Sequence, residues 1–367
     1  MKVIAFYLPQ YYTFPENDEW WGKGFTEWTN TRKATPQFKK HYQPRIPQGQ
    51  NYYCLTDVDS IRWQIKIAKA NGIYGFCFYH YWFKDGKQLL EKPVELFLNN
   101  KDLDMPFCLS WANEPWTRSW DGENKAIIMP QEYGDEREWA VHFDYLLPFF
   151  NDCRYLRIDG KPAFILYRPE IFPQFENMIR TWNELAIKNG LSGITWLIQS
   201  PSWNADPAND SPMIDYKIMY EPGYTGNTQG KDADLALVLS KYVSKLRRRI
   251  SLRNNINRFS YKRFAECIVN RRVLSNKYIP GFFTDWDNTA RRGKNANVFV
   301  GSNPAVFKKY LVKLILKAKN EYHKDYLFIN AWNEWAEGCY LEPDEKYGDG
   351  YLNAVKEALK ETNEWLE

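Results

Sequence analysis

The chain has 367 residues, 44% of them hydrophobic, and a formal net charge of +4. This composition suits a folded globular protein, and no apolar run reaches the roughly eighteen residues that a membrane-spanning helix needs. Six scattered cysteines without a CxxC pair argue against a disulfide framework or a structural zinc site.

The N-terminal segment MKVIAFYLPQYY has one lysine followed by a short apolar run. A secretory signal has a longer apolar region and a small-residue cleavage site, whereas Pro9 and Gln10 interrupt this run. We therefore predict that the segment is the first strand of the fold and that the protein is cytoplasmic.

Eight short runs rich in apolar and β-branched residues recur along the chain. Near-continuous hydrophobicity over so few residues is typical of parallel strands that are buried on both faces. The runs are residues 2–8, 72–80, 105–112, 162–168, 194–200, 215–221, 278–285 and 326–332.

Segments with helical periodicity separate these runs. In the segment 57–72, Asp57 is a typical N-cap and Asn71-Gly72 a typical stop. The other predicted helical segments are 87–100, 135–151, 170–190, 232–272, 304–323 and 350–366.

Eight strands that alternate with helices predict an α/β fold, a single (β/α)8 TIM barrel. The alternative is a doubly wound open sheet, but no GxGxxG or P-loop motif follows the first run. The long aromatic connection 10–56 is expected to fold over one mouth of the barrel. We predict one catalytic domain over residues 1–367, with a basic helical insertion at 241–273 before the seventh strand.

The insertion contains eleven Lys or Arg and one acidic residue, Glu266, so it carries +10 and the remaining chain −6. Such a run is most often a solvated helix face. Because apolar residues are interleaved, it could also lie on an anionic membrane surface or bind an anionic polymer. Peripheral contact with the inner membrane is therefore a hypothesis, whereas no motif supports nucleic-acid binding.

In a TIM barrel the active site forms at the C-terminal ends of the strands. Polar and aromatic residues follow most of the runs, and flat rings with polar rims suit a saccharide. The predicted substrate-binding residues are Tyr7, Tyr11, His80, Trp82, Trp111, Asn113, Glu114, Trp116, Arg118, Tyr167, Tyr220, Glu221, Asp285, Asp287, Asn333 and Trp335.

The stretch INAWNEWAEGCYLEP places Glu334 and Glu337 just after the last run. Breaking a glycosidic bond takes two carboxyl groups about 5 to 10 Å apart, which two glutamates in such a turn can provide. Trp332 and Trp335 beside them would desolvate a carboxyl group and raise its pKa. The alternative is a solvated helix start, where acidic residues are favoured. We predict that the two glutamates are catalytic.

Three other charged motifs leave two interpretations open. Glu114, in an Asn-Glu-Pro sequence, is the main rival for the acid, but it follows the third run, whereas many barrel glycosidases present their acid after the fourth strand; we assign it to binding. His80 is either a packed strand-end residue or a contact to a sugar hydroxyl. Arg291 and Arg292 either clamp an anionic group or cap the insertion.

At these motifs the chain resembles the WbsX-type proteins of bacterial polysaccharide gene clusters, which are similar to the endo-α-mannosidases of glycoside hydrolase family 99. The resemblance extends from residue 3 to about 358 and rests on FYLPQYY, FPENDEWWGKGFTEWTN, FCFYHYWF, SWANEPWTRSWDG, WDNTARR and NEWAEGCYLEP. SWANEPWTRSWDG and the insertion fit the WbsX pattern better, so mannose specificity is not carried over.

The resemblance implies a barrel with a retaining mechanism that uses no metal and no cofactor. Glu334 would deprotonate the sugar 2-hydroxyl, which attacks the anomeric carbon to give a 1,2-anhydro sugar, and Glu337 would protonate the leaving group. The roles could also be exchanged within the same pair.

We therefore expect a retaining glycoside hydrolase or transglycosidase that acts on a bacterial polysaccharide or lipid-linked glycan. One alternative is a glycosyltransferase of O-antigen or capsular polysaccharide biosynthesis, although no nucleotide-sugar motif is seen. The other is a non-catalytic carbohydrate-binding protein, which the convergence of carboxylates disfavours because buried unpaired charges are costly. The sequence predicts neither the sugar and its linkage nor the oligomeric state.

Overall fold

A computed structural model of the protein describes residues 1–117, 126–200, 211–227 and 256–366. Each of the eight predicted runs forms a strand of one parallel sheet. The strands are β1 (Lys2–Tyr7), β2 (Ile73–Trp82), β3 (Phe107–Trp111), β4 (Lys161–Leu166), β5 (Thr195–Ser200), β6 (Tyr216–Met219), β7 (Tyr278–Ile279), β8 (Gly281–Phe283) and β9 (Tyr326–Asn330).

The sheet closes on itself through the seventh run, which Pro280 divides into β7 and β8. β7 pairs with β6, and β8 pairs with β9, so one run joins both edges of the sheet. Pro280 has no N–H, but its carbonyl still accepts a hydrogen bond from the Phe328 amide. A Cβ at Gly281 would lie 1.9 Å from the Met219 carbonyl oxygen, so only glycine fits this close approach. The predicted barrel is confirmed.

The strands are buried because their side chains face the barrel interior on one side and the surrounding helices on the other. Every residue of β3 is buried, and so are five of the six residues of β4. Aromatic rings fill much of this core; Phe78, for example, packs 4.5 Å from Tyr7 and 5.4 Å from Phe97, measured between ring centroids. The high aromatic content of the chain is thus partly a property of its core.

The seven longest described helices lie within the predicted segments, and side-chain caps explain where two of them begin. The Asp57 side chain accepts a hydrogen bond from the Asp59 amide, and Asp135 accepts from the amides of Arg137 and Glu138. The helices are α1 (Pro15–Trp21), α2 (Glu27–Lys33), α3 (Val58–Ala70), α4 (Lys92–Asn99), α5 (Glu136–Phe150), α6 (Phe175–Lys188), α7 (Gly223–Asn227), α8 (Tyr261–Asn270), α9 (Thr289–Arg292), α10 (Pro304–Asn320) and α11 (Gly350–Glu361).

Short strands occur outside the barrel as well. Two of them extend it as antiparallel partners of β2 and β4, namely Gln88–Leu89 and Arg157–Ile158. The other short strands pair among themselves: Trp116–Thr117 with Ile127–Met129, Asn257–Ser260 with Asn297–Val300, and Asn333–Glu334 with Cys339–Tyr340.

Two helix predictions are wrong in part. The segment 87–100 is helical only from Lys92, because Gln88–Leu89 pairs with the end of β2. In the basic segment, Asn257–Ser260 is a strand paired with Asn297–Val300, and Phe259 packs against Phe299 with ring centroids 5.4 Å apart. Helix α8 follows directly, whereas residues 241–255 lie outside the described part, so the extent of the insertion stays a prediction.

The connection between β1 and α3 contains α1 and α2. Helix α2 begins with a capping box formed by Thr26 and Thr29, and the Glu27 amide donates to the Gln10 carbonyl just after β1. These bonds attach α2 to the rim where the parallel strands end. In the described ranges, no helix is long and apolar enough to cross a membrane.

Candidate active site

Glu334 and Glu337 lie in a tight hairpin just after β9. The strand Asn333–Glu334 pairs with Cys339–Tyr340, and a single 3-10 turn, Trp335–Glu337, joins them. Gly338 ends the turn at φ +63°, where a Cβ would also lie 2.9 Å from Asp287. The side chains of Glu334 and Glu337 are 8% and 18% exposed, so the turn places both carboxyl groups away from bulk solvent.

A single guanidinium group contacts three carboxylates. Arg291 of α9 donates from Nη1 to Glu337 Oε1 at 2.7 Å, and from Nη2 to Glu334 Oε2 at 3.2 Å. Its Nη2 also donates to Glu27 Oε1 at 2.8 Å. The two predicted catalytic carboxylates are therefore held by one planar fork of donors.

Glu27, at the start of α2, is the third member of this cluster. Its side chain is fully buried, and its Oε1 also accepts a hydrogen bond from the Ala336 amide at 3.0 Å. The residue thus holds both Arg291 and the backbone of the turn between the two glutamates. Sequence reasoning gave it no role, although the motif FTEWTN in the aromatic connection contained the signal.

Burial dominates the protonation of this cluster. It raises the pKa of Glu334 to about 8, an effect that Arg291 opposes and that Glu337 and Glu27 reinforce. Burial raises the pKa of Glu27 as well, whereas the three carboxylates overcome burial and raise the pKa of Arg291 above its usual value. The arginine therefore remains charged, and the cluster retains a proton at neutral pH.

A cavity of about 210 Å³ opens beside Glu334 at the C-terminal ends of the strands. Five of the predicted residues line it: Glu114, Trp116, Tyr167, Tyr220 and Glu334. Four polar or aromatic residues without a predicted role line it too: Tyr79, Tyr81, Thr117 and Gln199. Arg291, predicted either to clamp an anionic group or to cap the insertion, is also part of the lining. Glu337 contacts the cavity-lining Arg291 without itself belonging to the lining.

The Asn-Glu-Pro motif contributes one cavity residue and one supporting residue. The Asn113 side chain is buried and bonds both the amide and the carbonyl of Arg168, at 2.7 and 2.9 Å, which joins the ends of β3 and β4. Arg168 in turn contacts Glu114 at 3.2 Å. Burial raises the pKa of Glu114, and Arg168 opposes this. Glu114 thus faces the cavity while Asn113 fixes the loop.

His80, Trp82 and Trp111 belong to a packed cluster outside the cavity lining. His80 Nε2 lies 2.8 Å from Nε2 of His142 on α5, and the ring of Trp82 stacks on His142 at 4.3 Å. The Trp111 indole donates to the Trp82 carbonyl at 3.0 Å. Burial lowers the pKa of His80 to about 3, so the histidine pair is neutral. The contacts of His80 fit the interpretation as a packed strand-end residue and not the interpretation as a contact to a sugar hydroxyl.

A buried hydrogen-bond network supports the turn from below. Tyr7 donates to Gln64 at 2.6 Å, and Gln64 donates to Glu342 at 2.7 Å. Glu342 also accepts from Tyr53 at 2.8 Å and from the Trp335 indole at 2.6 Å. Tyr7 and Trp335 therefore position the turn that carries Glu334 and Glu337, and they do not line the cavity.

Asn333 anchors the hairpin to the first strand. Its amide group bonds the amide and the carbonyl of Leu8, at 2.7 and 3.0 Å. Its backbone carbonyl accepts a hydrogen bond from Tyr11. Asn333 and Tyr11 are both buried, and their contacts connect the end of β1 with the turn that carries Glu334 and Glu337.

Asp287 supports the turn from the other side. Its amide donates to the Glu337 carbonyl at 2.6 Å, and its carboxylate contacts His41 at 2.8 Å and Gln43 at 2.7 Å. The His41 contact contributes most to lowering the pKa of Asp287 to about 2, against the effect of burial. Asp287 therefore stays ionised and holds the backbone of Glu337.

Two further predicted residues form buried ion pairs away from the cavity. Asp285 pairs with Arg45 at 2.9 Å, and Glu221 pairs with Arg271 at 2.9 Å. Arg118 lies outside the described residues. Within the described ranges, no group of three or more His, Cys, Asp or Glu side chains could hold a metal ion.

The chain is similar to known proteins over most of its length. A family model described as Glycosyltransferase WbsX matches residues 3–355. The uncharacterized protein WxcX of Xanthomonas campestris pv. campestris, in strains B100 and ATCC 33913, is 32% identical over 360 residues, which is 97% of this chain and 49% of the relative. The chain thus spans about half the length of the curated relatives it matches.

Two solved structures share the fold at low sequence identity. The GH99 endo-alpha-mannosidase from Bacteroides thetaiotaomicron has a TM-score of 0.57 and 14% identity, with 98% of this chain and 97% of that one covered. A structure described as a glycoside hydrolase-like protein has a TM-score of 0.59 and 16% identity, with coverage of 97% and 93%. At such identities the likeness shows the barrel architecture.

Proposed function

This chain belongs to the WbsX family, and we propose that it is a carbohydrate-active enzyme that cleaves a glycosidic bond with retention, using Glu334 and Glu337. The observation that carries the proposal is that one guanidinium group holds both carboxylates beside a cavity at the strand ends. Structural neighbours described as glycoside hydrolases support it. The substrate class that we propose is a bacterial polysaccharide or a lipid-linked glycan.

The two carboxyl groups would divide the work. Glu334 takes the proton of the sugar 2-hydroxyl, and the 2-oxygen then bonds to the anomeric carbon. The bond from the anomeric carbon to the leaving group breaks in the same step, and Glu337 donates a proton to the leaving-group oxygen. Water then attacks the anomeric carbon, donates a proton to Glu337 and opens the 1,2-anhydro ring. Glu334 returns the proton that it took to the 2-oxygen. The configuration is retained because the anomeric carbon is attacked twice.

The electrostatics of the cluster support an acid–base role for Glu334. Proton transfer is most efficient when the pKa of the catalytic group lies near the working pH, and burial raises the pKa of Glu334 to about 8. Once ionised, Glu334 is therefore a stronger base than an ordinary carboxylate.

Substitution of each glutamate by glutamine tests the proposal and separates the roles. With an unmodified oligosaccharide, both Glu334→Gln and Glu337→Gln should lower kcat by roughly 10²- to 10⁴-fold, the usual contribution of general acid–base catalysis. With a glycosyl fluoride, whose leaving group needs no protonation, Glu337→Gln should recover much of the rate and Glu334→Gln should not.

Glu357→Gln on α11 is the matched control, because Glu357 is exposed and pairs only with a surface lysine in the described structure. It should keep the wild-type rate. Full activity in either Glu334→Gln or Glu337→Gln would end the proposal. Recovery with the fluoride in Glu334→Gln instead of Glu337→Gln would exchange the two roles.

Glycosyl transfer in polysaccharide biosynthesis is the second candidate, favoured by the family description Glycosyltransferase WbsX. The same cavity would then accept a sugar donor activated by a nucleotide or a lipid phosphate. Incubation with such a donor and an oligosaccharide acceptor distinguishes the candidates. A lengthened acceptor would favour transfer, and a shortened oligosaccharide without a donor would favour hydrolysis.

A further inference from the structure

A second concave surface, larger than the cavity beside Glu334, lies on the other side of α2. This aromatic groove has a volume of about 690 Å³, which is within the usual range for ligand sites. Its lining includes the rings of Tyr12, Trp28 and Tyr52, three threonines and two cationic side chains, Arg32 and Lys33. No lining residue is acidic, so the groove has a positive local charge.

Helix α2 separates the groove from the catalytic cluster. Its buried face presents Glu27 to Arg291, whereas Thr29, Arg32 and Lys33 on its other face are exposed. Trp28 lies between the two, with its ring centroid 5.4 Å from that of Trp335. The groove and the catalytic turn therefore share one layer of side chains.

The groove also borders the cavity along the rim. Tyr12, which lines the groove, packs in one apolar cluster with Trp116, which lines the cavity. Tyr11 lines the groove as well and donates to the Asn333 carbonyl next to Glu334. A chain-like ligand with one unit at Glu334 thus has a second concave surface nearby.

The cationic side of the groove is preorganised. The Arg32 guanidinium lies over the ring of Tyr52 at 3.8 Å. In this position its N–H groups, which point outward in the guanidinium plane, can donate hydrogen bonds to a ligand. Among the residues that the structure describes, neither Arg32 nor Lys33 forms an ion pair. Because Arg binds planar carboxylates through two parallel hydrogen bonds, this side of the groove suits an anionic group.

We propose that the aromatic groove binds an acidic sugar residue of the glycan, one that carries a carboxylate such as a hexuronate. The rings would contact the apolar face of the sugar, the threonine hydroxyls its hydroxyl groups, and Arg32 with Lys33 its carboxylate. The inference rests on the proposed function for its ligand class, because it takes the occupant to be part of the glycan.

Equilibrium titration tests the groove apart from catalysis. We would titrate oligogalacturonate, an oligosaccharide of hexuronates, into protein carrying Glu337→Gln, so that turnover does not enter, and follow tryptophan fluorescence. Adding Arg32→Gln and Lys33→Gln should raise the dissociation constant at least tenfold and flatten its dependence on salt. Tyr52→Leu, which removes the stacking ring and keeps both charges, should weaken binding by a smaller factor.

The matched control is Lys66→Gln with Lys188→Gln, which removes the same charge from exposed positions on α3 and α6. It should change the dissociation constant by less than twofold. Equal affinity in the Arg32 and Lys33 variant, or equal binding of a neutral oligomannoside, would overturn the proposal. Tighter binding of single-stranded oligouridylate than of oligogalacturonate would also overturn it. Tighter binding of a sugar phosphate would instead show that the groove prefers a phosphate to a carboxylate.

The outcome is independent of the catalytic test. Groove binding without glycosidic cleavage by the unmodified enzyme would support the groove and count against the proposed function. Cleavage without groove binding would have the reverse meaning.

Discussion

The strand ends of this barrel carry two buried polar groups that differ in what surrounds them. The histidine pair, His80 and His142, satisfies its shared hydrogen bond internally and is enclosed by Trp82 and other aromatic rings. The carboxylate cluster instead sets three glutamates against one arginine and has one side on a cavity. The histidine pair shares one hydrogen bond between two neutral rings, whereas the cluster has more carboxyl groups than cations.

The two groups also differ in how burial affects their protonation. Burial lowers the pKa of His80 to about 3 and leaves it uncharged, so packing alone satisfies it. Burial raises the pKa of Glu334 to about 8 and leaves it able to exchange a proton near neutral pH. A carboxyl group that lacks a cation of its own and lies beside a cavity is therefore a better candidate for an acid or base than a polar residue that packs against aromatic rings.

The largest expected effect on stability comes from removing Arg291. Arg291→Met leaves three carboxyl groups without their cation and should lower the free energy of unfolding by roughly 3–5 kcal/mol at pH 8. The loss should shrink at pH 5, where Glu334 is protonated because burial raises its pKa to about 8. Chemical denaturation at both pH values measures this.

Arg180→Met is the control for Arg291→Met. Arg180 is exposed on α6, its ion pair with Glu176 spans 3.6 Å, and its loss should cost less than about 1 kcal/mol. Equal costs for the two arginines would mean that the carboxylate cluster does not depend on its cation.

The histidine pair allows the opposite test. His142→Leu leaves His80 Nε2 without its partner in an apolar surrounding and should cost about 1–3 kcal/mol. The double change to leucine should cost less than the sum of the two single changes, because no unpaired group remains. A double-mutant cycle from denaturation curves measures the coupling, and strict additivity would contradict a satisfied pair.

The pH dependence of stability sharpens the same point. Both histidines have a lowered pKa in the folded state, whereas in the unfolded chain their pKa is the ordinary value of about 6.5. Below that pH the unfolded chain therefore binds more protons than the folded protein. The stabilisation by neutral histidines is complete above that value and declines as the pH falls toward about 3. The double leucine variant should lose less stability between pH 6.5 and 4 than the wild type.

The smallest expected effect concerns Glu27. If Glu334 is the base, kcat/KM should rise with pH around a midpoint near 8. Glu27→Gln keeps an oxygen for Arg291 and for the Ala336 amide but removes a charge that raises the pKa of Glu334. The midpoint should therefore move down by a fraction of a pH unit.

Glu132→Gln is the control for Glu27→Gln, since Glu132 is exposed and pairs with Lys84 at 2.7 Å. It should leave the pH midpoint where it is. An upward shift, or none, in Glu27→Gln would show that this residue does not act on the protonation of the cluster.

Much of the fold follows from local sequence signals. The eight apolar runs became strands because residues buried on both faces need continuous hydrophobicity, and Asp57 and Asp135 began helices because their side chains accept amide hydrogen bonds. Prediction failed at Gln88–Leu89, which forms a short hairpin with the end of β2, and at Asn257–Ser260, which pairs with the distant strand Asn297–Val300. Helical periodicity carries no information about either pairing.

The candidate site was foreseen less completely. Glu114, Tyr167, Tyr220 and Glu334, which were chosen for their position after a strand, line one cavity. It did not distinguish residues that face the cavity from those that hold its walls, such as Asn113, Asn333 and Asp287. That distinction depends on which way each side chain turns after its strand, and this is set by partners elsewhere in the chain.

The sequence by itself determined the barrel, its strand positions and the pair of glutamates after the last strand, because each of these depends on residues close together in the chain. Only the tertiary structure decided that Arg291 joins Glu334 and Glu337 to Glu27, which is 264 residues away from Arg291. Closing the barrel brings the first connection next to the last strand, and the burial of that junction sets the charge balance on which the chemistry depends.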